Sequence, residues 1–194
     1  MIQIISGTNR PQARSLEIAK LVKQQIHQCH ESAEIIDLSQ VPFAELDGSQ
    51  YSKNQPTSLL KYKQKLDRAR GFVFVVPEYN GSMPGILKYF IDHWTYPDTF
   101  EYRPTCFIGL GGKFGGLRPV EHLQGVMGYR NAYQFPERVF ITDVWNVLSD
   151  GKINDENICN LLLRQAENFC RFIKALESQK LDANSFLAAK KENS

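Results

Sequence analysis

Apolar residues in this chain form two kinds of segment. Short unbroken runs alternate with longer stretches in which apolar residues recur every three or four positions. Ile2 to Ser6 reads as a first strand. Residues 13–30 carry Ala13, Leu16, Ala19, Leu21 or Val22, and Ile26 at helical spacing, and Ala33 to Leu38 is a second strand. Residues 39–56, with prolines, Gly48 and many polar residues, read as a long loop. Residues 57–70 form a helix with Thr57 as its N-cap. Phe72 to Val76 is apolar throughout, as for a strand buried on both faces. A helix opens at Pro84 and runs to His93, with proline at its favoured position. Pro104 to Leu110 is a fourth strand, residues 117–129 a helix, and Arg138 to Val144 a fifth strand. The last helix, 155–177, carries Ile158, Leu162, Ala166, Phe169, Ile173 and Leu176 on one stripe. Residues 179–194 read as a polar, loose tail beyond a domain spanning 1–178.

Strands alternating with helices predict parallel pairing through right-handed crossovers, here a three-layer, doubly wound, five-stranded α/β sheet. Ligands of such sheets bind beyond the carboxyl ends of the strands. The loops after strands one, three and four are therefore the informative ones, and they are the polar or glycine-rich loops of this chain.

Composition narrows the function little. The chain has 194 residues, 42% of them apolar and 23% charged, enough for one domain with a sizeable core. A net charge of +2, with Lys and Arg spread along the chain, predicts no nucleic-acid partner. No apolar run reaches the roughly 20 residues of a membrane span, and "MIQIISGTNR" does not read as a signal peptide. Cys29, Cys106, Cys159 and Cys170 lack CxxC spacing and read as small core residues in a cytoplasmic protein. His27, Cys29 and His30 lie close together, but no carboxylate or second cysteine completes a ligand set, so no metal is expected.

The first loop, "SGTNRPQARS", brings hydroxyls at Ser6, Thr8 and Ser15, the Asn9 amide and Arg10 to a helix N-terminus. Free backbone N–H groups and the helix dipole favour an anion there, and an arginine is shaped to hold phosphate. One short loop with Arg10 as its cation suits a monophosphate, although a capped helix with a surface arginine has the same pattern. Neither GxGxxG nor GxxxxGK[ST] is present. After strand three, Pro77-Glu78-Tyr79-Asn80-Gly81-Ser82 is longer than a plain turn requires. Its backbone groups suit the edge of a planar ring, with Tyr79 as an aromatic wall and Asn80 as an amide. After strand four, "GLGGKFGGLRPVEHL" lets backbone approach a ligand closely at Gly112 and Gly115, and Arg118 opens the next helix.

With these residues the sequence resembles the NADPH-dependent FMN reductases, a family of flavodoxin-like flavin, quinone and azo reductases. Pro77 to Ser82, Pro84-Gly85, Leu87-Lys88 and Ile91-Asp92 match the family's PEYN-x-S-x-PG-x-LK-x-x-ID signature. Gly7, Thr8, Arg10, Ser15 and Ala19 match its first loop, and Gly115-Gly116-x-Arg118 its third; the resemblance covers roughly residues 1–175. It implies a sheet order of 2-1-3-4-5, FMN as cofactor and NADPH or NADH as reductant. It places the FMN phosphate on Thr8, Arg10 and Ser15, the flavin ring along Pro77 to Ser82, and nicotinamide near Gly112 to Arg118. Ala13 stands where the family usually has a hydroxyl, which implies weaker retention of FMN.

The expected function is an oxidoreductase that passes a hydride through FMN to a small-molecule flavin, quinone or azo-type acceptor. Two substrates alternating at one site predict ping-pong kinetics. The first half-reaction requires no side-chain acid or base, so no catalytic residue is expected. The alternatives are a flavodoxin-like electron carrier, against which the +2 charge argues, and a flavin-binding regulatory protein with little turnover. The aromatics of "HWTYPDTFEY" (93–102), in a segment too irregular for core, predict a contact surface and, with the resemblance, a homodimer or homotetramer.

Overall fold

The computed structural model describes residues 1–49, 52 and 55–192. Its central sheet contains β1 (Ile2–Ser6), β2 (Ala33–Asp37), β3 (Gly71–Pro77), β4 (Pro104–Leu110) and β5 (Tyr133–Ile141). The order is β2-β1-β3-β4-β5, with every neighbouring pair parallel. The helices are α1 (Arg14–Gln28), α2 (Thr57–Asp67), α3 (Gly85–His93), α4 (Leu117–Tyr129), the short α5 (Val144–Val147), α6 (Glu156–Ser178) and α7 (Ala183–Glu192). A two-stranded hairpin, β6 (Leu148–Ser149) and β7 (Lys152–Ile153), lies between α5 and α6.

The sheet separates two apolar layers. Val73 and Val75 pack on one face with residues of α1 and α6, while Phe72, Phe74 and Val76 pack on the other with α2, α3 and α4. The pleat sends alternate residues to opposite faces, so a strand covered on both sides must be apolar at every position. Burying each of these side chains contributes about 1.5–3 kcal/mol.

Four features differ from the sequence reading. First, β5 starts at Tyr133 and ends at Ile141 rather than spanning 138–144. Pro136 cannot donate to a ladder, and pairing jumps there from Thr105–Gln134 to Phe107–Arg138. Buried Gln165 of α6 closes the gap by donating to the carbonyls of Phe107 at 3.0 Å and Glu137 at 2.8 Å. Second, Thr57 is the first helical residue of α2. Pro56 holds the cap position, with no side-chain hydrogen bond.

Third, the aromatic segment 93–102 is largely core. His93, Trp94 and Phe100 are buried. Two arginines satisfy its irregular backbone: Arg103 donates to the carbonyls of Asp67, Ala69, Asp98 and Thr99, and Arg130 to those of Trp94 and Thr95. Tyr96 stays exposed, its ring 5.4 Å from that of Tyr129. Fourth, the tail after Gln179 is helical through α7 rather than loose. Asp182 accepts from the N–H groups of Asn184 and Ser185, and Phe186 packs 4.5 Å from the Tyr102 ring. Residues 50, 51, 53 and 54 of the expected loop, and 193–194 of the tail, lie outside the described residues.

Candidate functional site

At the carboxyl edge of the sheet, a cleft of about 440 Å³ is lined by Thr8, Arg10 to Ser15, Pro77 to Asn80, Leu110 to Gly112, Val144 and Trp145. The loops after β1, β3 and β4 meet here, joined by the loop after β5.

The loop after β1 forms one end. Ala13 caps α1 in an extended conformation without a side-chain hydrogen bond. The N–H groups of Arg14 and Ser15 at the start of α1 have no intrahelical acceptors, while that of Leu16 already donates to the Ala13 carbonyl at 2.9 Å, so this end carries two free donors and a partial positive charge. Arg10 and Arg14 are both exposed, and among the described residues neither forms an ion pair. Thr8 and Ser15 are buried at the base, where the Ser15 hydroxyl lies 3.0 Å from that of Ser6.

The loop after β3 forms the facing wall. Glu78 is tied to β4 by its N–H donating to the Leu110 carbonyl at 3.0 Å. Tyr79 and Ser82 then exchange backbone hydrogen bonds of 2.9 and 3.1 Å around Asn80 (φ 51°) and Gly81 (φ 77°). Two successive positive φ values make this a two-residue turn of the kind that Asn-Gly favours. It presents Tyr79 to the first loop: the phenol lies 2.9 Å from Thr8 Oγ1, and the Arg10 guanidinium sits 4.2 Å from the ring centroid. Gly81 and Ser82 fall outside the cleft lining, and Ser82 Oγ lies 2.8 Å from His122 Nδ1.

The glycines of β4 and of the loop after it have two jobs. A Cβ on Gly109 would lie 2.6 Å from the Gly115 carbonyl oxygen and 2.7 Å from that of Gly116. Gly115 (φ 56°) and Gly116 (φ 79°) thus fold their backbone onto β4, and Gly115 does not reach the cleft. Gly112 does. Arg118 approaches from outside, pairing with Glu78 at 3.4 Å rather than with neighbouring Glu121, and lies 4.7 Å from the Phe114 ring centroid. Asn9 lines a separate pocket beside α1, with Asp37, Ser39 and Lys20.

The sequence reading missed Arg14 and Trp145. Arg14 is the first residue of α1, and the sequence does not show which way a side chain at a helix start turns. Trp145 follows β5 at the same sheet edge, a place obscured by extending the strand to residue 144. The N–H groups of Asp143 and Val144 donate to the Gly112 and Gly111 carbonyls at 2.9 and 3.2 Å, zipping the loops after β4 and β5 together.

Among the described residues, no group of three or more His, Cys, Asp and Glu side chains is placed to hold a metal, and no helix is long and apolar enough to cross a membrane. Burial pushes the Cys170 thiol up to about 12 and the Cys106 thiol higher still, so neither ionises at neutral pH.

The profile of the NADPH-dependent FMN reductases matches residues 1–146, the part that carries all the cleft loops. The chain belongs to this family. It is an oxidoreductase of a family whose cofactor is FMN and whose reductant is NAD(P)H. An FMN-dependent NADPH-azoreductase of Staphylococcus saprophyticus is 29% identical over 152 residues, covering 76% of this chain and 80% of that one. A 2-hydroxy-1,4-benzoquinone reductase from a Burkholderia species is 27% identical over 149 residues, covering 74% and 80%. Among solved structures, the NAD(P)H:(acceptor) oxidoreductase FerB of Paracoccus denitrificans has a TM-score of 0.72 at 20% identity, covering 90% of this chain and 97% of that one. An archaeal flavodoxin matches with a TM-score of 0.56 at 12% identity, over 90% and 99%. These two structures share the fold.

Proposed function

We propose that this protein transfers electrons from NADPH or NADH to a quinone or azo-type acceptor through FMN held in the cleft. The observation that carries the reading is the convergence of Arg10, Arg14 and the free N-terminal donors of α1 on the same cleft as Tyr79 and Gly112. The residues present fit FMN. Its phosphate needs charge and donors, which the first loop supplies, and its flat ring needs an open slot, which Gly112 leaves.

When bound, FMN would supply the two-electron redox chemistry that links the reduced nicotinamide to the acceptor. Thr8, Arg10, Arg14 and Ser15 hold and orient the phosphate end. Pro77, Glu78, Tyr79 and Asn80 border the ring, and the turn through Gly81 and Ser82 fixes their geometry. Arg118, exposed beside Glu78 and Phe114, is available to the charged end of the nicotinamide nucleotide. Asn9 and Gly115 support the loops from outside the cleft.

The reductase unit spans residues 1–178, and α7 is an appendage to it. The four free thiols favour a reducing cytoplasmic setting. The exposed Tyr96–Tyr129 pair, beside the α3–α4 groove, favours a homodimer. Light scattering tests this: a mass twice that of the 22.2 kDa chain is expected, and a monomer at micromolar concentration contradicts it. Turnover is tested by following NADPH and NADH oxidation with added FMN across flavin, quinone and azo acceptors. Acceptor-dependent oxidation that requires FMN is expected. Flavin binding without turnover would instead favour an electron carrier or a regulatory protein.

A further inference from the structure

Trp145 is 58% exposed, although an indole is among the costliest side chains to leave in water. It stands on a fixed base. Val144 beside it is buried, and the N–H groups of Asp143 and Val144 are bonded to the Gly112 and Gly111 carbonyls. Asn146 returns a backbone bond of 2.9 Å and a side-chain bond of 2.8 Å to Asp143. The six-membered edge of the indole rests on Gly112: a Cβ there would lie 3.0 Å from Cζ3 and 3.3 Å from Cη2. Glycine at 112 is therefore what lets Trp145 reach the cleft, and the loops after β4 and β5 form one unit that presents it.

We propose that Trp145 is the acceptor-selecting residue, an aromatic wall against which the ring of a planar aromatic electron acceptor stacks beside the flavin. The inference rests on the reductase reading. Tyr79, also in the cleft lining, serves the cofactor end through its contacts with Thr8 and Arg10. Trp145 makes no such contact with the phosphate loop, so its exposed surface is left for the second substrate. A preorganised indole face binds flat rings at low entropic cost and does not discriminate by hydrogen bonding. The acceptor class is accordingly quinones and other flat conjugated rings, rather than small inorganic oxidants.

The test compares 2-methyl-1,4-naphthoquinone with ferricyanide, which has no face to stack, in FMN-loaded wild type, Trp145→Ala and Trp145→Phe. FMN dissociation constants are measured alongside by fluorescence quenching. In Trp145→Ala the KM for the quinone should rise about tenfold, a loss in the range of one aromatic stack. Its kcat/KM ratio of quinone to ferricyanide should fall by the same factor, and Trp145→Phe should recover most of it. Equal losses for both acceptors, or an FMN affinity that falls as much as the quinone KM rises, would overturn the proposal and make Trp145 a flavin contact. Wild type that oxidises NADPH with neither acceptor would instead defeat the reductase reading itself.

Discussion

Thr8 Oγ1 lies 2.9 Å from the phenolic oxygen of Tyr79, and the Arg10 guanidinium sits 4.2 Å from the centroid of the same ring. One side chain from the loop after β3 thus orients both a hydroxyl and a cation of the loop after β1. Tyr79→Phe keeps the ring but loses the hydrogen bond, and FMN should bind about two- to tenfold more weakly, the worth of one neutral hydrogen bond. Tyr79→Ala also loses the cation–π contact and should cost about 0.5–1 kcal/mol more. Quenching of FMN fluorescence measures both, and unchanged affinity in Tyr79→Phe would show that the bridge does not orient Thr8.

The glycines of β4 and of the loop after it separate stability from function. A methyl on Gly109 meets two carbonyl oxygens of fixed backbone, at 2.6 and 2.7 Å. Gly109→Ala should destabilise the fold by about 1–3 kcal/mol, as overpacking does, and lower Tm by several degrees. A methyl on Gly112 meets only the edge of the exposed Trp145 indole and no backbone, and the ring need give by only a few tenths of an ångström. Gly112→Ala should leave Tm within about 2 °C of wild type, since surface changes stay near 0.5 kcal/mol, while raising the KM for a quinone. A large loss of Tm in Gly112→Ala would show that the loop after β5 depends on this contact for folding.

Buried His93 makes stability depend on pH. Burial lowers its pKa, opposed in part by the charge of Asp47. The unfolded chain then binds more protons than the folded one between the lowered value and the ordinary value of about 6.5. Stability from keeping His93 neutral is fully present above about 6.5 and is lost as pH falls toward the folded value. Thermal unfolding of wild type and His93→Gln from pH 7.5 to 5 should show a steeper decline in wild type. Parallel declines would assign the acid sensitivity to other groups.

Legibility in the sequence followed how local the determinants were. β3 was plain because burial on both faces leaves no polar position in Phe72–Val76, and α6 because its stripe is long. β5 was misplaced because Pro136 reads as a break, and only Gln165, 29 positions on, repairs the ladder. The 93–102 segment read as surface because the arginines that satisfy its carbonyls, Arg103 and Arg130, lie outside it. The polar loop after β1 and the turn after β3 were visible as residue types, and Thr8, Arg10, Ser15 and Pro77 to Asn80 line the cleft, whereas Asn9, Gly81 and Ser82 do not. Trp145 was not, since its role depends on pairing between two loops. Gly115 reads in the sequence as room for a ligand, because its close packing against Gly109 of β4 follows from how the loop between them folds back and not from residue type.

In the proposed function, the end of the cleft at α1 holds the phosphate of FMN. Titrating the flavin-free protein with FMN and with riboflavin, alongside the Arg10→Ala and Arg14→Ala variants, tests it most directly. The two flavins share a ring and differ only in the phosphate. FMN should bind wild type at least about tenfold more tightly than riboflavin, and Arg10→Ala should remove a charge-assisted bond worth about 1.5–3 kcal/mol, a tenfold to hundredfold loss for FMN alone. Arg14→Ala should weaken FMN in the same direction and leave riboflavin unchanged. Riboflavin binding as tightly as FMN, or arginine variants that weaken both flavins equally, would contradict the account.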